Sequence, residues 1–108
     1  MDVELLVVPE CPNGQPATQA LRTALDRAGL RSSQLTVTVI RTLAEAERRS
    51  FPGSPAFLLG GRDAFIEQAG PPSVSCRLYT DGVTLSGLPN EAALAHAIAA
   101  ARTVGEGA

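Results

Sequence analysis

The chain has 108 residues, 44% of them hydrophobic and 19% charged, a balance that excludes a disordered segment and fits one globular domain. The formal net charge is −2 and no basic block interrupts the sequence, which excludes nucleic acid as a partner, because phosphate binding needs clustered positive charge. All nine positively charged side chains are Arg and Lys is absent, so Lys chemistry such as a Schiff base is excluded for want of the residue.

Leu5-Leu6-Val7-Val8 is continuous rather than alternating, and Pro9 ends it; such a run predicts a buried central strand. Glu10-Cys11-Pro12-Asn13-Gly14-Gln15-Pro16 follows, rich in breakers and caps. From Ala17 to Ala28 the apolar residues fall at helical spacing, with Gly29 as a stop. Pro16 suits the first turn of that helix, where its missing N–H costs nothing. Leu35 to Ile40 is β-branched and predicts a second strand, parallel to the first across a right-handed crossover.

Leu43 to Arg49 predicts a short polar helix, and Phe51-Pro52-Gly53-Ser54-Pro55 a turn into a third buried strand, Ala56-Phe57-Leu58-Leu59. Gly60-Gly61 signals a tight hairpin, with Arg62 to Phe65 as the returning fourth strand. Ala69 to Ser75 reads as irregular, and Ser75-Cys76-Arg77-Leu78-Tyr79 as either a short strand or an ordered crossing. Asp81-Gly82 is a turn. Asn90 caps a last helix that runs to Arg102. The domain is therefore placed at 1–102, with a small, polar tail over 103–108 expected to fray.

No apolar run reaches the length that crosses a bilayer, and the start, Met1-Asp2-Val3-Glu4, lacks the basic region of a signal peptide. The sequence thus predicts a cytoplasmic chain with no membrane partner. Thiols stay reduced there, so two cysteines point to reactive groups rather than to a structural staple. With one His, a four-ligand zinc site within the chain is not expected, and no cofactor is called for.

The order β-α-β-(α)-β-β-α, with Cys11 between the first strand and a helix, resembles the thioredoxin-like superfamily. Gly53-Ser54-Pro55-Ala56 looks like the turn that precedes its third strand. Gly60-Gly61-Arg62-Asp63 resembles the glutaredoxin-type hairpin. Ser75-Cys76-Arg77-Leu78-Tyr79 and Gly87-Leu88-Pro89 are similar to small bacterial thioredoxin-family proteins, some of them labelled alkylmercury lyase-like. The resemblance implies an α/β three-layer sandwich around a mixed four-stranded sheet, a cis bond before Pro55, and a site at Cys11. Where the family has Cys-x-x-Cys, this chain has Cys11-Pro12-Asn13-Gly14, so the local disulfide of a dithiol oxidoreductase cannot form.

The expected catalytic thiols are Cys11 and Cys76, with Pro12, Asn13, Gly14, Ser54, Pro55 and Arg77 around them. A helix start beside Cys11 favours an anion, whereas Glu10 opposes one. Cys76 has two readings. If Arg62 to Phe65 is the fourth strand, the segment from Ile66 to Leu88 crosses the Cys11 end of the sheet and Cys76 can reach Cys11. If Val74 to Thr80 is that strand, Cys76 is a remote, inert thiol. Arg77 either joins the thiols as an anion binder or lies on the surface.

Three functions follow. In a thiol-redox protein, Cys11 attacks a disulfide or peroxide of a protein or small-molecule partner. A non-catalytic binding module would keep the fold and lose the chemistry. A soft-metal or organomercury protein would use both thiolates, with Glu10 as the nearby proton donor. A monomer or weak dimer is expected in each case.

Overall fold

A computed structural model describes residues 1–106 of the chain. Strand β1 (Val3–Val7) lies inside a four-stranded mixed sheet and pairs on both edges. It runs parallel to β2 (Leu35–Val39), from Val3 beside Leu35 to Val7 beside Val39. It runs antiparallel to β3 (Ala56–Leu59), from Val3 beside Leu59 to Leu6 beside Ala56. The fourth strand, β4 (Arg62–Asp63), closes the order β2-β1-β3-β4.

Both faces of this sheet are covered, which is why β1 reads as an unbroken apolar run. On one face Val3, Leu5 and Val7 pack against Ala17, Leu21 and Leu25 of α1 (Gly14–Arg27) and against Leu94 and Ile98 of α3 (Glu91–Glu106). Leu21 and Leu25 are four residues apart and so share a stripe of the helix. On the other face Leu6, Ile40 and Ala56 meet Ala46 of α2 (Leu43–Arg49) and Phe51. The result is a three-layer α/β arrangement.

Local signals explain the bounds. Thr42 caps α2 by accepting from the Glu45 N–H at 3.1 Å, and Ser50 ends it in the left-handed region at φ 51°. Gly60 and Gly61 have φ of 62° and 82°, the signs a two-residue hairpin turn needs at its central positions. The Asn90 side chain accepts from the Ala93 N–H at 2.7 Å and caps α3.

The Glu4 carboxylate lies between Thr38 and Arg49. Partial burial pushes its pKa up, but hydrogen bonds from both partners and the Arg49 charge outweigh that and hold it below the ordinary value.

Three sequence expectations need correction. Helix α1 begins at Gly14, not Ala17. Strand β4 is Arg62–Asp63 rather than Arg62 to Phe65, although the Ala64 N–H still donates to the Phe57 carbonyl at 2.8 Å. Helix α3 continues to Glu106, so the boundary set at Arg102 falls inside it; the last two residues of the expected tail, 107–108, lie outside the described residues. Two elements were not expected. A 3-10 turn spans Ile66–Gln68, and a separate hairpin joins β5 (Tyr79–Thr80) to β6 (Leu85–Ser86) across Asp81-Gly82.

Candidate functional site

The chain leaves β1 through two consecutive tight turns. The Cys11 N–H donates to the Val8 carbonyl at 3.3 Å, and the Gly14 N–H to the Cys11 carbonyl at 3.1 Å. Within the first of them Glu10 adopts φ 57°, a left-handed conformation carried by a non-glycine residue; such positions concentrate at functional sites. Helix α1 starts three residues after Cys11, and its N-terminal partial positive charge favours an anion there. Asn13 contributes no side-chain cap, because its backbone is already helical. Its side chain instead packs on Gly87, where an added Cβ would fall 2.3 Å from Asn13 Nδ2.

Cys11 is half-buried and leans on the α1 face of the core. Beside it, an added Cβ at Gly14 would lie 3.7 Å from both the Cys11 Cβ and Val7 Cγ1, in ordinary contact. Pro12 is exposed. Cys11→Ser should cost less than about 1 kcal/mol, as substitutions outside the core do. Urea unfolding checks this, and a loss of several times that size would make Cys11 a structural residue.

Across the sheet end from Cys11 lies the turn before β3. The Ser54–Pro55 peptide bond is cis. Ser54 is fully buried and occupies the position that would pair with Val8 if the β1–β3 register continued. Its hydroxyl accepts the Val8 N–H at 3.0 Å and so satisfies a donor that the ladder leaves over.

The backbone of Ser54 is engaged on its other side. Its N–H donates to the Ser75 carbonyl, and its carbonyl accepts from the Arg77 N–H, both at 2.9 Å. This is a parallel bridge between Ser54 and Cys76. The Ser73 N–H extends it with a bond to the Phe51 carbonyl at 2.9 Å. The segment from Ser73 to Arg77 therefore lies along the turn that contacts the end of β1. The fourth strand is not Val74 to Thr80; the crossing carries Cys76 to the cis-proline turn, with the thiol exposed.

Exposure alternates from Cys76 to Thr80: Cys76, Leu78 and Thr80 are exposed, whereas Arg77 and Tyr79 are buried. Arg77 thus corrects the sequence expectation. It is neither an anion binder at the thiols nor a surface side chain, because its guanidinium turns inward onto Asp63. The distances are 2.7 Å to Oδ2 and 3.3 Å to Oδ1, with a further bond to the Phe65 carbonyl at 2.8 Å. Asp63 also accepts from the Phe65 N–H at 2.8 Å. The guanidinium carbon stands 4.6 Å from the centre of the Tyr79 ring. The Tyr79 hydroxyl donates to the Pro55 carbonyl, and burial pushes the phenol up out of its ordinary range.

Sequence reasoning missed the Asp63–Arg77 pair and the role of Val8. The only signal for the first was the strict alternation from Cys76 onward, obscured because a charged residue holds an inward position. Among the described residues, no group of three or more His, Cys, Asp or Glu side chains could hold a metal ion, and no helix is long and apolar enough to cross a membrane. No family model, curated protein or solved structure matches the chain.

Proposed function

We propose that this chain is a thiol–disulfide exchange protein of thioredoxin-like fold, in which Cys11 attacks a partner disulfide and Cys76 resolves the adduct. One observation carries the reading: Ser54 ties the segment that carries Cys76 to the turn that leads into Cys11. Its backbone brackets Cys76, while its hydroxyl holds Val8, whose carbonyl accepts from Cys11. Two segments far apart in sequence, each carrying one cysteine, are thereby tied through one residue. The element order, the sheet order and the helix that starts three residues after Cys11 support the same reading.

The exchange balances without a cofactor. The Cys11 thiolate attacks one sulfur of the partner disulfide, and the partner's other sulfur leaves as a thiolate that takes up a proton. Cys76, deprotonated, then attacks the Cys11 sulfur. A Cys11–Cys76 bond forms and the second partner thiol leaves. The partner gains two electrons and two protons, and the protein dithiol is oxidised to a disulfide. An external dithiol reverses the protein step.

An aromatic disulfide whose released thiol is coloured tests this. Reduced protein should release both aromatic thiols and retain no adduct by mass, whereas Cys76→Ser should hold one aromatic group on Cys11. Retention of an aromatic group on each cysteine of the unmodified protein would overturn the proposal.

A further inference from the structure

We infer that the buried Asp63–Arg77 pair is a register lock that positions Cys76, and that Arg77 is a positioning residue for the exchange. The inference rests on the reading of Cys76 as the resolving thiol. Along an extended segment successive side chains point to opposite sides, and a slip of one residue exchanges the two sets. With Arg77 held inward, Cys76 must face outward. On the same side Tyr79 adds a hydroxyl bond to the Pro55 carbonyl, but Arg77 is the inward residue next to Cys76. The segment follows Gly70-Pro71-Pro72, and its ladder to the Phe51–Ser54 turn consists of three backbone bonds, which a shifted register could remake.

The side-chain contact cannot be remade elsewhere. Asp63 belongs to β4, where it pairs with Leu58, so its carboxylate is fixed to the sheet. The two-point contact sets the distance and the rotation of the guanidinium together. Side-chain exposure is only 3% for Arg77 and 8% for Asp63. Nε of Arg77 has no partner, so the pair does not compensate its burial fully. A buried ion pair is weak evidence of stabilisation, since apolar replacements are often neutral or better; its attested use is to specify an arrangement. Here the arrangement specified is the one that presents Cys76.

The double variant Asp63→Asn/Arg77→Met tests this, because it removes both charges and leaves an Asn acceptor for the Phe65 N–H. It should melt within a few degrees of the unmodified protein. Its Cys11–Cys76 disulfide, equilibrated with glutathione, should be easier to reduce by at least about tenfold, or about 30 mV, because misplacement lowers the effective concentration of the resolving thiol. Exchange of the Ser54 amide hydrogen should accelerate as the bond to Ser75 loosens. Arg77→Lys keeps the charge without the two-point contact and should show both effects, which covers the case in which the double variant does not fold. An unchanged disulfide equilibrium and unchanged Ser54 exchange in either folded variant would overturn the lock. If the unmodified protein forms no Cys11–Cys76 disulfide, the exchange reading fails, and Ser54 amide exchange still decides whether the pair sets the register.

Discussion

Gly14→Cys should turn the Cys11 site into a local dithiol that closes on mild oxidation. The position is built for it: an added Cβ there stands 3.7 Å from the Cys11 Cβ, inside the range of about 3.5–4.5 Å that disulfides span. Nothing nearer obstructs the new side chain, since Val7 Cγ1 is also at 3.7 Å. Residue 14 opens α1, so the change removes a helical glycine and should not destabilise the helix. The disulfide should form even when Cys76 is replaced by Ser, seen as the loss of two hydrogens by mass. In that Cys76→Ser background, reduction of a protein disulfide by an added dithiol should accelerate by at least about tenfold over Cys76→Ser alone, because resolution becomes intramolecular within one turn. If both thiols of Gly14→Cys/Cys76→Ser remain open to alkylation after oxidation, the turn at Cys11 is not arranged as described.

The second large effect is expected at Gly53. Its φ of 132° lies where side chains are rarely tolerated, and an added Cβ would fall 3.0 Å from the Ser75 carbonyl oxygen and 3.1 Å from the Arg77 Cβ. These neighbours belong to the segment bonded to Ser54 and cannot swing aside as a long side chain would. Gly53→Ala should therefore push Ser75 to Arg77 off the turn. The backbone strain alone costs about 1–3 kcal/mol, which lowers Tm by at least about 4 °C for a domain of this size. The Cys11–Cys76 disulfide should form in lower yield as well. Gly70→Ala is the control, since it has nothing within 4 Å of its added Cβ. Thermal melting and oxidation of both variants check this; a Gly53→Ala protein that behaves like the control would contradict the packing described.

The framework was legible because its signals are local. Ala56–Leu59 and Leu43–Arg49 fall where the apolar run and the polar helix predict them. Gly60 and Gly61 form the expected hairpin turn, and Ser54–Pro55 has the cis form implied by the resemblance. The start of α1 was hidden because Gly14 sits in a run of breakers and the apolar spacing begins only at Ala17, although Pro16 already suited a first turn. The β5–β6 hairpin was hidden because Leu85 and Ser86 are exposed and carry no apolar alternation. At the site, Cys11 is marked by its place between strand and helix. The setting of Cys76 is not marked, because it depends on Asp63, Phe65 and Ser54, none of them a neighbour in sequence. Composition cannot say that an Arg will be buried; only the carboxylate that meets it can.

The central claim is that Cys11 and Cys76 act as one redox pair. Its most direct measurement is peptide mapping by mass spectrometry after mild oxidation of the reduced protein at low concentration. The account predicts a monomer containing one Cys11–Cys76 disulfide, formed without a partner and reversed by a dithiol. Oxidation that yields only disulfide-linked dimers, or adducts on each cysteine separately, would contradict it.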